Sequence, residues 1–185
     1  RPSESDARGV RLLAIRDLGR MLADSPRRAE WIARLTDPSE RVWAMYYSGD
    51  KTGAVREAAA AAARHDAGSP RADYLMVLAL DAGAWKELSA YLQQPGDNIN
   101  ARWKALQSAL AFLMERGWQP PNRDLPALLR QAPPAARWEI CRMLATQGQN
   151  RLACWLAEEI PARFPAAQAA QAWIDIGTWR LNLRQ

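Results

Sequence analysis

The sequence predicts an all-α fold made of short helical hairpins. Along most of its 185 residues, apolar side chains recur at spacings of three and four, which places them on one stripe of a helix. No stretch alternates apolar and polar residues for long, as a half-buried strand would. Glycines able to close a helix recur at intervals of 34, 34 and 31 residues, at Gly49, Gly83, Gly117 and Gly148. This interval predicts an internal repeat of a helix–turn–helix unit.

The stretch Arg137–Pro165 shows this unit most clearly. Two prolines stand before its first helix, where a missing backbone donor costs nothing. Gly148 ends that helix, since a left-handed closing residue is cheapest without a Cβ. Asn150 is expected to cap a second helix, which Pro161 closes. Each helix keeps one apolar face that its mate does not cover, so the hairpin needs neighbours.

Prolines and capping residues indicate where the other helices begin and end. Asp37 precedes Pro38 and is followed three residues later by Glu40, as in a capping box. Seven alanines in a later helix suit both high helix propensity and close packing. Before the hairpin we expect helices at Val10–Ala23, Pro26–Leu35, Pro38–Tyr47, Thr52–His65, Arg71–Asp81, Ala84–Leu92, Asn98–Arg116 and Leu125–Gln131, with a loop at Trp118–Asp124.

With its 34-residue interval, the chain resembles a divergent array of tetratricopeptide repeats. The family's early tryptophan and Leu-Gly-like pair are matched by Trp173, Ile176 and Gly177. Its small residue in the second helix corresponds to Ala54 and Ala153, and Leu88 occupies that place in its repeat. The resemblance extends from about Asp37 to the C-terminus and is irregular after Gly117, where WQPPNRDLP intrudes.

The resemblance implies a right-handed α-solenoid of stacked helical hairpins that forms a single helical-repeat domain over 1–185. Its parts would be N-terminal helices at 1–36 and repeats at 37–68, 69–97, 98–132 and 133–166. Residues 167–185 would begin a further repeat or form a capping helix. Because the sequence opens with RPSESDARGV and stops at RLNLRQ, we expect a fragment of a longer chain.

The same resemblance predicts a binding groove. First helices line the concave side of such arrays, and this position is carried over to Trp43, Tyr46, Tyr47, Asp73, Lys104, Gln107, Glu115 and Arg142. Aromatic and mixed-charge lining suits an extended peptide or a sugar chain stacked on rings. Core packing or ordinary surface is the competing interpretation for each residue. Five other tryptophans are expected to face a neighbouring helix: Trp85, Trp103, Trp138, Trp155 and Trp173.

Residues that usually carry chemistry form no recognisable motif. His65 is the only histidine, and a charge near a helix C-terminus explains it. Cys141 and Cys154 are too few and wrongly spaced for a zinc site, which leaves a disulfide or two buried thiols. Glu158 and Glu159 have no partner carboxylates across a cleft. We therefore expect no enzyme, no metal and no cofactor.

The net charge of +5 is spread evenly, at +2 over residues 1–68, +1 over 69–131 and +2 over 132–185. A nucleic-acid reader concentrates Lys and Arg on one face or tail, so no nucleic-acid partner is expected. No run of 18 apolar residues exists, so membrane insertion is not expected either.

These observations favour a non-enzymatic scaffold that binds a protein or peptide in its groove, with a polysaccharide as a second class of ligand. Such arrays resemble the periplasmic repeat regions of bacterial exopolysaccharide export proteins, which favours a periplasmic over a cytoplasmic location. Two alternatives stay open. One is the helical superstructure of a lytic transglycosylase-type enzyme, and the other is a pentatricopeptide-like RNA binder.

Overall fold

A computed structural model describes residues 4–64, 72–95, 99–119 and 123–184; for residues 4–9, 12, 64, 72 and 73 the description covers the backbone alone. Within these ranges the fold is all-α, as predicted, with eleven α-helices, one 3₁₀ turn at Pro161–Arg163 and no strand. The helices are α1 (Glu4–Met21), α2 (Arg28–Ala33), α3 (Pro38–Tyr47), α4 (Lys51–Arg64), α5 (Ala72–Ala82), α6 (Trp85–Leu92), α7 (Ile99–Met114), α8 (Asp124–Leu129), α9 (Pro134–Thr146), α10 (Asn150–Ala157) and α11 (Ala166–Asn182).

The chain divides into two compact units, Arg1–Tyr91 and Leu92–Gln185, here called unit 1 and unit 2. In unit 1, α3 packs on α1 and α4, and α4 also packs on α5. In unit 2, α9 packs on α7 and α10, and α10 also packs on α11. The second helices α4 and α10 therefore each contact both their mate and the first helix that follows, which buries two of their faces.

The four turn glycines all adopt the left-handed backbone conformation, which confirms that prediction. Their φ angles are +93°, +63°, +83° and +75° for Gly49, Gly83, Gly117 and Gly148. At each turn, the N–H of the residue after the glycine donates to the carbonyl five residues earlier, as in a Schellman motif. These four bonds are Asp50 to Met45 at 3.0 Å, Ala84 to Ala79 at 2.9 Å, Trp118 to Leu113 at 3.0 Å and Gln149 to Leu144 at 2.8 Å.

The core repeats in register with these turns. The residue seven positions before each turn glycine is fully buried in all four cases: Val42, Met76, Leu110 and Cys141. Five positions after three of the glycines lie Ala54, Leu88 and Ala153, which are also buried. One local signal, the turn glycine, thus indicates which helix face enters the core.

Helix capping follows the sequence at Asp37 but not at Asn150. The Oδ1 of Asp37 accepts the backbone N–H of Glu40 at 3.1 Å, which confirms the predicted cap of α3. The prediction for Asn150 is wrong, because this residue begins α10 after Gln149, which makes no side-chain capping bond. The Oδ1 of Asn150 is buried and has no hydrogen-bond partner among the described residues.

Two of the five tryptophans expected to pack against a neighbouring helix are exposed. Trp103 is only 1% exposed, but Trp155 is 40% and Trp173 is 51% exposed. The buried residues of α10 flank Trp155 in sequence, so its side chain emerges on the outer face, where the Arg130 guanidinium covers the ring at 3.6 Å. In α11 the buried face is formed by Ala172, Ile176 and Trp179, which leaves Trp173 outside it.

Candidate functional site

Unit 2 contains an open cleft of about 650 Å³ bounded by α7, α9 and α11, here called the larger cleft. Its volume lies within the range of small-molecule and cofactor sites. Its lining includes Gln107 from α7, Glu139 and Arg142 from α9, and Asp175, Thr178 and Trp179 from α11.

Helical periodicity explains why several side chains of the same helix line the cleft. On α11, residues 175, 178, 179 and 182 are spaced as one helix stripe, and all four line the cleft. On α9, Glu139 and Arg142 are one turn apart, and Thr146 follows one turn later on the same side. The opposite side of α9 is held in the core by Ile140, Cys141 and Leu144.

The larger cleft carries two carboxylates and one guanidinium. Arg142 lies 3.7 Å from Glu139, and both side chains are more than half exposed, so this pair is weak. The carboxylate of Asp175 accepts the neutral amide of Gln171 at 2.9 Å. The Gln107 side chain donates to the Glu139 backbone carbonyl at 3.2 Å and connects α7 to α9.

A smaller cleft of about 310 Å³ lies between α9 and the start of α11. Its lining includes Trp138, Phe164 and Gln168. The Trp138 ring meets Phe164 edge-on at 6.0 Å and lies 5.4 Å from the ring of Trp179, which lines the larger cleft. Glu139 lines both clefts, so they are adjacent on one surface of α9 and α11.

Unit 1 holds a separate cluster of three aromatic rings on α3. Trp43 and Tyr47 stack at 5.7 Å, and Tyr46 meets both rings edge-on at 6.1 and 5.5 Å. All three side chains are half-buried. Tyr47 packs against Gly19 of α1, where an added Cβ would come within 2.9 Å of the tyrosine Cβ. The three rings thus bury much of their surface against each other.

A carboxylate and an ammonium group lie beside this aromatic cluster and bind one of its tyrosines or each other. The hydroxyl of Tyr46 donates to the carboxylate of Asp81, which also accepts Lys51 Nζ at 3.0 Å. Burial, together with this hydrogen bond, raises the pKa of Tyr46 well above its usual value. The Tyr46 hydroxyl in turn lowers the pKa of Asp81, with Lys51 adding to the effect. The cluster therefore connects α3 to α4 and α5 through an ionised carboxylate.

The structure brings together some of the eight residues expected in the groove. Gln107 and Arg142 both line the larger cleft. Trp43, Tyr46 and Tyr47 form the aromatic cluster of unit 1. Lys104 and Glu115 are exposed and line neither cleft, and the side chain of Asp73 lies outside the described residues.

Sequence reasoning missed Glu139, Asp175, Thr178 and Trp179. A signal existed for Glu139, because it lies one turn before Arg142 on a stripe that can be counted back from Gly148. No such count was available for α11, since no turn glycine follows it in the sequence. The rotation of α11 about its axis is set by its packing on α10.

The described residues contain no group of three or more His, Cys, Asp or Glu side chains that could hold a metal ion. His65 lies outside them. Cys141 and Cys154 are buried free thiols rather than a disulfide. Burial raises the pKa of Cys141 to about 12 and also raises that of Cys154, so both stay protonated and are poor nucleophiles.

None of the described helices combines the length and the apolarity needed to cross a membrane. No protein-family model matches the chain, and neither the curated proteins nor the solved structures give a match.

Proposed function

We propose that this chain is a non-enzymatic helical-repeat scaffold that binds an extended segment of a partner protein in the larger cleft of unit 2. The observation that carries the proposal is the origin of the cleft walls. They come mainly from α7, α9 and α11, and α10 contributes only its first residue, Asn150, while the rest of α10 packs on α9 and α11. A surface formed by successive first helices is the one that repeat arrays use for binding extended ligands.

The finer architecture that we propose is a tetratricopeptide-like right-handed stacking of hairpins within each unit. Four turns with the same backbone hydrogen bond, and a core position at the same distance from each, support one repeated unit. Contacts of α4 with α3 and α5, and of α10 with α9 and α11, support stacking of that unit on a neighbour.

The lining of the larger cleft suits a peptide backbone. Carboxamides of Gln107, Gln147, Asn150 and Asn182 lie along it, and a carboxamide can donate and accept hydrogen bonds as a peptide group does. The Oδ1 of Asn150 has no partner among the described residues, so a ligand amide that reached it after a small side-chain rotation would satisfy it.

A bulky substitution in the cleft tests the proposal. Thr178 is exposed on α11 and lines the cleft, so Thr178→Trp fills the space with little effect on the core. Peptides selected from a random phage-displayed library on the wild-type protein should bind Thr178→Trp at least about tenfold more weakly, a loss equivalent to about 1.4 kcal/mol. Isothermal titration calorimetry measures this loss.

Arg151→Trp is the matched control, because Arg151 is exposed on α10 and lines neither cleft. This variant should keep wild-type affinity, and both variants should keep the wild-type far-UV circular dichroism spectrum. Equal binding of the selected peptides to Thr178→Trp and to wild type would remove the cleft as the binding site.

A further inference from the structure

We propose that the bound segment presents a cationic side chain, arginine or lysine, where the two clefts meet, between Glu139 and Asp175 and beside the rings of Trp138 and Trp179. This inference rests on the function proposed above and specifies the chemistry of the partner. It follows from the indole rings and carboxylates at this junction and from the excess negative charge of those carboxylates.

Glu139 marks the junction because it lines both clefts. Its neighbour in sequence, Trp138, places a ring in the smaller cleft, 5.4 Å from the ring of Trp179 in the larger one. Asp175 is one helical turn before Trp179 and lines the same cleft. Each of the two helices therefore supplies one carboxylate and one indole to a shared surface.

The carboxylates at this junction are incompletely neutralised. Among the described residues, Glu139 pairs only with Arg142, at 3.7 Å, and Asp175 accepts a neutral amide from Gln171. The lining of the larger cleft thus carries one more negative than positive charge, in a protein whose net charge is +5. A cationic ligand group is complementary to this local excess, whereas an acidic one would be repelled.

The aromatic rings favour a cation for an independent reason. An indole face attracts a guanidinium or ammonium group held within about 6 Å of the ring centre. Unit 2 already contains this contact elsewhere, since the Arg130 guanidinium lies 3.6 Å from the Trp155 ring. At the junction the half-buried Trp138 ring and the Glu139 carboxylate line the same cleft, so one side chain can contact both. Trp179, which is only 8% exposed, packs against the Trp138 ring.

Arg142 does not occupy this position itself. It lies on α9 three residues after Glu139, and its guanidinium is more than half exposed. It therefore competes with a ligand cation for Glu139 without covering the indoles. Replacing Arg142 with glutamine removes this competitor and leaves both carboxylates in place.

The test uses pools of capped octapeptides with random flanking residues and arginine, citrulline or glutamate at the fourth position. Citrulline keeps the shape of arginine but has no charge. By fluorescence polarisation in low salt, the arginine pool should bind about tenfold more tightly than the citrulline pool. The glutamate pool should bind most weakly. Glu139→Gln and Asp175→Asn should each reduce the arginine preference about threefold to fivefold.

Arg142→Gln should raise the affinity of the arginine pool, in the opposite direction from the two carboxylate variants. Glu159→Gln is the control for a simple change of net charge, because Glu159 is exposed and lines neither cleft. Equal binding of the three pools, still blocked by Thr178→Trp, would overturn the cationic site and leave the proposed function standing. Failure of every pool to bind would overturn both.

Discussion

At the scale of single residues, glycine has opposite effects at two positions of this chain, one in a turn and one within a helix. Gly148 has a φ of +75°, a conformation that a Cβ disfavours. Gly177 lies within α11, and a Cβ added there would meet no atom within 4 Å. The first glycine is required by the turn, while the second only lowers helix propensity.

A matched pair of alanine substitutions tests this difference. We expect Gly148→Ala to lower the free energy of unfolding by about 1 kcal/mol or more, because alanine is strained at positive φ. Gly177→Ala should raise it by up to about 1 kcal/mol, because alanine is the better helix former and nothing obstructs its Cβ. Urea unfolding followed by circular dichroism at 222 nm measures both. Changes of the same sign would contradict the backbone assignments.

At the scale of elements, the packing of α10 on α9 and α11 buries both cysteines, with the Cys154 Sγ 4.0 Å from the Ile176 carbonyl of α11. Cys141 is fully buried on α9, and Cys154 is buried on α10 next to Ala153. Cys154 is close enough to contribute to the raised pKa of Cys141. Burial is the main cause of both shifts, so neither thiol is activated in the folded hairpin.

We expect both thiols to react slowly with Ellman's reagent in the native protein and rapidly in urea, because reaction requires opening of the hairpin. Since the folded pKa of Cys141 is raised from 9.0 to about 12, its stabilising contribution is present below about pH 9. It is lost as the pH rises toward 12. Cys141→Ala should remove that part of the alkaline loss of stability. Rapid reaction of two thiols under native conditions would contradict the buried interface.

At the scale of the whole molecule, several of the arginines that make the protein basic are paired with carboxylates. Arg11 pairs with Glu40, and Arg41 binds Glu57 at 2.9 Å, in unit 1. In unit 2, Arg180 binds Glu158 at 3.2 Å. These carboxylates reduce the field that the three arginines project into solvent.

We therefore expect no appreciable binding of single-stranded RNA at about 150 mM salt. A filter-binding assay at two ionic strengths checks this, because RNA binding through phosphate contacts falls steeply with salt. Sub-micromolar affinity at low salt that is lost at high salt would support the RNA-binding alternative instead. A basic RNA-binding domain of similar size serves as the positive control.

The sequence by itself determined the features that depend on local backbone preferences. The helices, the four left-handed glycines, the Asp37 cap and the core register around Val42 or Cys141 all follow from interactions within a few residues. Such interactions are written in the chain and need no distant partner.

Only the tertiary structure decided which helix faces line the cleft. Successive side chains on a helix differ by about 100° in direction, so a small rotation of α11 moves Asp175 and Trp179 into or out of the cleft. The orientation of α11 about its axis is set jointly by many contacts with α10 and the 3₁₀ turn. No single sequence motif predicts these contacts. The exposure of Trp173 and the presence of Glu139 and Asp175 in one cleft have this same origin.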